Sequence, residues 1–155
     1  MDHTRRHANP EGVQTVHRRQ QPRHQLELRV DAEPFWMSGI RALTTDLAIR
    51  ADFDLDSVAD LTLAVDEACA MLIDVAEAGD TLACRFSVTV DEIMVTATLP
   101  VGRRVDRPSL ATNTFGWRVM VTLADDVDLI DSSEDVGRDA ALAIRLTKRR
   151  GPAGG

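Results

Sequence analysis

The stretch Leu61–Val75, LTLAVDEACAMLIDV, decides how the rest of the chain is read. It holds neither Gly nor Pro. Val58, Leu61, Val65, Ala68, Leu72 and Val75 recur at steps of three and four, which places them on one buried stripe of an α-helix. At about 100° per residue, Asp60, Ala64, Glu67, Met71 and Asp74 form a second strip along one flank. Glu67 therefore stands at the edge of a core helix, where a carboxylate faces either solvent or a cleft. Asp56 is a good N-cap, so the helix is expected from about Ser57 to Ala76, with Gly79-Asp80 ending it.

Before this helix, Gln25–Asp31 alternates: Leu26, Leu28 and Val30 face one way, Glu27, Arg29 and Asp31 the other. That is a half-buried strand. Glu33 and Pro34 open a first helix whose buried stripe is expected to be Trp36, Ile40, Leu43 and Leu47, with Arg41 beside it on the surface. After the long helix, Leu82, Cys84, Phe86, Val88 and Val90 alternate with polar residues. Asp91-Glu92 suits a hairpin turn, and Ile93, Val95, Ala97 and Leu99 form the partner strand. Pro100–Asn113 is a long loop carrying Arg103, Arg104 and Arg107. Phe115–Ala124 reads as a short helix through Trp117, Met120 and Val121, Asp126–Asp131 as a strand, and Ala140–Thr147 as the last strand with Leu142, Ile144 and Leu146 on one face. Most strands have one apolar and one polar face, so helices must cover a single side of the sheet. The expected fold is a two-layer α/β sandwich with a mixed or antiparallel sheet.

At 155 residues, with 44% hydrophobic and 28% charged residues, the chain suits one globular domain. The expected organisation is a basic tail over 1–24, a folded domain over 25–148 and a flexible tail over 149–155. No apolar run is long enough to span a membrane, and the amino terminus lacks a hydrophobic signal region, so a cytoplasmic location is expected. Cys69 and Cys84 give neither a disulfide framework nor zinc spacing; Cys69 is placed off the helix stripe and Cys84 on the apolar side of a strand, both as buried free thiols. His3 and His7 lie four apart but in no helical context, so no metal site is assigned. Five arginines against Asp2 and Glu11 give residues 1–24 a charge of +3 out of the net −7, so the remainder carries −10. An acidic body binds phosphate backbones poorly and suits a basic partner protein. No aromatic residue interleaves with the tail arginines, which argues against direct nucleic-acid binding.

This arrangement, with Asp66-Glu67-Ala68 in the second helix, resembles the bacterial anti-sigma factors of the histidine-kinase-like (Bergerat, or GHKL) ATPase superfamily. These are the serine-protein kinases that hold stress and sporulation sigma factors inactive, and the nearest likeness is to the actinobacterial anti-sigma-F type. The resemblance spans about Leu26–Lys148. Its most specific piece is Ala124–Ser133, ADDVDLIDSS, followed by Ile144–Lys148, IRLTK.

The resemblance implies a homodimer that sequesters an alternative sigma factor of the sigma-F or sigma-B type. An antagonist with a STAS domain relieves that inhibition. It also implies ATP and magnesium bound between the helices, with Glu67 as general base. The family places an Asn on the metal one turn after that Glu; here Met71 stands there, and a thioether is a poor ligand for hard Mg²⁺. The family's Asp-x-Gly-x-Gly adenine box matches Leu99–Arg103, which has no acid and only Gly102. The second glycine box matches Thr114–Trp117, of which Gly116 remains. Arg41 falls where the family has an arginine that contacts both sigma factor and antagonist, and Met37 falls at a neighbouring acidic position. The implied reading is an anti-sigma factor that acts by binding. An active serine kinase is the alternative, and a fold relative serving another signalling partner is a third.

Overall fold

A computed structural model of the chain describes residues 24–102, 106, 108–132 and 140–152. The elements run β1 (His24–Asp31), a 3-10 turn (Pro34–Trp36), α1 (Met37–Arg50), α2 (Leu55–Asp74), β2 (Thr81–Val88), β3 (Glu92–Pro100), α3 (Phe115–Leu123), β4 (Asp126–Asp131) and β5 (Ala141–Arg149). The strands form one sheet in the order β1-β2-β3-β5-β4. All four pairings are antiparallel, which settles the choice between a mixed and an antiparallel sheet.

The register explains why only one face is covered. Leu28, Cys84, Ala97, Ile144 and Leu129 stand in one row across the five strands, and each lies in or against the apolar core. The neighbouring row on the opposite face is Glu27, Arg85, Thr96, Arg145 and Asp128. There Arg85 meets Glu27 at 3.2 Å and Arg145 meets Asp128 at 3.1 Å. Hydrogen bonds from Arg85 and Arg29 hold the Glu27 carboxyl below its ordinary range. A face laced with cross-strand charges stays in water, and its apolar counterpart takes the helices.

α2 supplies the helix side of the core. Val58, Leu61, Val65, Ala68, Cys69 and Leu72 are all buried, and α1 and α3 both pack on α2. The start of α2 lies earlier than the sequence suggests. Asp54, not Asp56, is the N-cap: its carboxylate accepts from the Ser57 amide at 2.8 Å, and Asp56 falls in the first turn, where an acid suits the helix dipole. The helix also stops at Asp74, with Val75 as C-cap, and Gly79 at φ +89° carries the chain on to β2.

Three apolar residues fall outside their expected places. Trp36 is 40% exposed, because Pro34–Trp36 winds as a 3-10 turn that takes its last residue off the α1 stripe; that stripe is Ile40, Thr44 and Ala48, with the Thr44 hydroxyl donating to the Ile40 carbonyl. Val121 is exposed, and Met120 alone in α3 is fully buried. Val90 belongs to the hairpin turn, where the Thr89 hydroxyl accepts from the amides of Asp91 and Glu92, so Glu92 begins β3.

β5 continues through Arg149, past the expected end of the strand at Thr147. Lys148 reaches Asp60 of α2 at 3.3 Å and the Leu123 carbonyl at 2.9 Å, and Arg150 donates to the Ala51 carbonyl with its guanidinium over the Phe53 ring. Most of the expected basic tail, together with His3, His7, Arg103, Arg104, Arg107 and Ser133, lies outside the described residues. No helix among the described residues is long and apolar enough to cross a membrane.

Leu61→Ala and Leu72→Ala, both at positions with no solvent exposure, are expected to cost about 2–5 kcal/mol each. Leu55→Ala, at a position that is 79% exposed on the same helix, should stay within about 0.5 kcal/mol of wild type. Urea denaturation of the three variants checks the ranking.

Candidate functional site

α2 presents different side chains to its two helical neighbours. The flank read from the sequence as Asp60, Ala64, Glu67, Met71 and Asp74 is the one facing α3. Its first member is taken by Lys148, Ala64 is fully buried, and Glu67 and Met71 meet Gly116 in the first turn of α3. A Cβ placed on Gly116 would lie 2.8 Å from Oε2 of Glu67 and 3.8 Å from Sδ of Met71. So Glu67, Met71 and Gly116, picked out separately in the sequence, do come together.

What they form is a close contact between α2 and α3. Thr114 caps α3, its hydroxyl accepting from the Trp117 amide at 3.2 Å, and the half-buried Glu67 carboxylate sits against Gly116. A helix amino terminus attracts negative charge, and the Glu67 carboxylate lies beside the first turn of α3. Gly102 is engaged elsewhere: at φ +57° it turns the chain after β3, and its amide donates to the Ala140 carbonyl at 3.2 Å. The ATP and magnesium that the resemblance implies do not fit this set. The Gly116 approach is filled by Glu67, Met71 offers no hard oxygen, and Leu99–Arg103, the segment matched to the adenine box, holds no acid. Among the described residues no cluster of His, Cys, Asp or Glu could hold a metal ion.

The other side of α2 faces α1. Nη2 of Arg41 donates to both carboxylate oxygens of Asp66, at 3.0 and 2.9 Å. Beside the pair, the hydroxyls of Thr45 and Thr62 meet at 3.2 Å. The Arg41 side chain remains 50% exposed, and its remaining guanidinium nitrogens have no hydrogen-bond partner among the described residues. Arg41 and Asp66 border an open groove of about 400 Å³ whose other walls include Leu55, Ala59 and Leu63. Met37, half-buried, lies one turn before Arg41 at the start of α1. Directly before it, the exposed rings of Phe35 and Trp36 pack edge to face with centroids 5.0 Å apart.

Asp66 as the partner of Arg41, and the exposed Phe35–Trp36 pair, were missed in the sequence. The first was hidden because the two residues are 25 apart on separate helices; the second depended on a 3-10 turn. A larger hollow, about 670 Å³, lies on the charged open face of the sheet near Asp126, Asp128 and Arg145. It is on the opposite side of the sheet from both α2 flanks.

Five antiparallel strands under one layer of helices, with a glutamate on the central helix facing a glycine turn, define a protein of the histidine-kinase-like ATPase fold. The crystal structure of the RsbU and RsbW domains of a Mycobacterium tuberculosis protein shares this fold, with a TM-score of 0.59 at 13% identity. The match covers 84% of this chain and 34% of that one, so the chain spans about a third of that protein structure. The chain is 34% identical over 126 residues to the anti-sigma-F factor RsbW of Mycobacterium tuberculosis, in strains CDC 1551 / Oshkosh and ATCC 25618 / H37Rv. The aligned region covers 81% of this chain and 73% of the relative. No family model matches. On that identity and coverage the chain belongs to the family of RsbW anti-sigma-F factors.

If the Glu67–Gly116 contact is as close as the geometry makes it, the two positions must couple. Ala should suit the first turn of α3 better than Gly by up to about 1 kcal/mol, and in wild type the displaced Glu67 carboxylate should cancel much of that gain. Gly116→Ala is therefore expected to be more favourable in a Glu67→Ala background than in wild type, with a coupling of about 0.5 kcal/mol or more. A double-mutant cycle by chemical denaturation measures it.

Proposed function

We propose that this chain binds and sequesters an alternative sigma factor of the sigma-F type, and that a STAS-domain antagonist releases it. The observation that carries this reading is Arg41: a half-exposed guanidinium held by Asp66 at the rim of an apolar groove between α1 and α2. An arginine beside exposed aliphatic and aromatic side chains is the composition of a protein-binding hot spot. Met37, Phe35 and Trp36 extend the surface at the start of α1. The acidic body favours association with a basic partner, and a homodimer and a cytoplasmic site of action are parts of the same reading.

The test is co-purification with candidate sigma factors, followed by titration with Arg41→Ala. Truncation is expected to cost on the order of 2 kcal/mol in binding, with Trp36→Ala weakening it further. If Arg41→Ala binds every candidate as well as wild type does, Arg41 is not at the interface.

Inhibition by binding alone is the favoured mechanism. Phosphoryl transfer depends on positioning and charge neutralisation, and the close Glu67–Gly116 contact, Met71 at the metal position and the lack of an acid in Leu99–Arg103 each work against it. Glu67 can accept a proton, but a general base acts only on a positioned donor. Calorimetry with ATP and Mg²⁺, run beside a phosphorylation assay on a cognate antagonist, is expected to give no metal-dependent transfer. Micromolar, metal-dependent ATP binding with transfer lost in Glu67→Ala would establish the kinase instead.

A further inference from the structure

Cys69 of α2 and Cys84 of β2 face each other across the helix–sheet interface with their sulfurs 3.8 Å apart. Both are free thiols and both are buried, and neither belongs to the α2–α3 seam or to the α1–α2 groove. In the sequence Cys69 read as facing off the buried stripe. In the structure it is 1% exposed and points at the central row of the sheet.

We propose that this pair is a redox-modification site, at which a small hydroperoxide joins Cys69 to Cys84 and thereby shifts α2 together with the partner groove it carries. One of the two sulfurs attacks a peroxide oxygen, the O–O bond breaks, the second oxygen leaves as water, and that cysteine becomes a sulfenic acid. The other thiol then attacks that sulfur, the S–O bond breaks, and a second water leaves as the S–S bond forms. The two thiols give up two electrons and two protons in all. Hydrogen peroxide, the reduced partner, ends as two waters.

The two thiols share one S–H···S contact in which either sulfur can donate, and that contact, with burial, pushes the Cys69 thiol well above its ordinary range. Whichever sulfur is oxidised first, the other is the resolving thiol. Burial restricts the reaction to a small oxidant, and a resolving thiol already in contact traps the sulfenic acid before it oxidises further.

Bond formation has a mechanical consequence. A disulfide holds its sulfurs about 2.05 Å apart, so the pair must close from 3.8 Å. Cys84 is paired on both sides, opposite Leu28 and Ala97, and the strand resists displacement. The adjustment therefore falls on α2, where Asp66, the residue that holds Arg41, lies three residues before Cys69.

The effect on partner affinity rests on the anti-sigma reading above; the oxidation itself does not. The full chain is treated with hydrogen peroxide and followed by intact mass, non-reducing peptide mapping and hydrogen exchange. Affinity for a sigma-F-type factor is measured in the reduced and oxidised forms. The expected result is loss of two hydrogens, reversed by dithiothreitol, with a Cys69–Cys84 crosslinked peptide and altered exchange over residues 62–70. The oxidised form should bind the sigma factor roughly tenfold more weakly.

Thiols that stay reduced, or that reach sulfinic acid without a crosslink, overturn the proposal. So does a crosslinked chain with unchanged exchange and unchanged affinity. A reduced chain that binds no sigma factor refutes the anti-sigma reading alone, and the mass and exchange measurements still decide the redox site. Cys69→Ala and Cys84→Ala must each abolish the crosslink. Should either fail to fold, wild type compared with and without peroxide and dithiothreitol carries the test.

Discussion

α2 must satisfy three neighbours at once, and the rest of the structure depends on that constraint. Its buried stripe lies on the apolar face of the sheet, α1 packs along one side and α3 along the other. At about 100° per residue, consecutive side chains on a helix cannot share a direction. Asp66 and Glu67 are adjacent in the chain, yet Asp66 turns toward α1 and Glu67 toward α3. One helix thereby separates the α1–α2 groove from the α2–α3 seam, and any movement of α2 reaches both.

On the binding-only reading proposed above, the seam illustrates how a shared fold need not carry a shared chemistry. In a phosphate-binding turn, glycine lets the backbone approach a ligand closely. Gly116 does allow a close approach here, but the group that approaches is the Glu67 carboxylate. The small residue and the helix amino terminus are both present, and the anionic group beside them is one of the chain's own side chains.

Much of the architecture was legible in the sequence because it rests on periodicity. Alternation in β2, β3 and β5 marked the strands, and the one-sided pattern required a single helical layer. What the sequence did not reveal depends on local geometry or on long-range proximity. Asp56 was read as the cap, and the hydrogen bond from the Ser57 amide places it at Asp54 instead. Trp36 looked like a core residue until the 3-10 turn took it off the stripe. Of the site, Glu67, Met71, Gly116 and Arg41 could each be singled out, but not their neighbours. The contact between Cys69 and Cys84 and the pairing of Arg41 with Asp66 join residues 15 and 25 apart, across elements whose packing no local pattern encodes.

The Arg41–Asp66 pair suits a protein whose partner must come and go. With the arginine half exposed, water screens the attraction, and such surface pairs contribute only about 0–1 kcal/mol. A carboxylate on an incoming partner can therefore replace or share Asp66 at little cost. Meanwhile Asp66 orients the guanidinium before binding and reduces the side-chain entropy lost when the complex forms. On the reading proposed above, the apolar groove would supply affinity that does not depend on salt, and the guanidinium direction and choice of partner. A buried, fully paired arginine could not do this, because removing one partner from it would leave an uncompensated charge in the core. Partial exposure thus makes the same side chain both ordered and exchangeable, which is what the proposed competition between two partners for one surface would require.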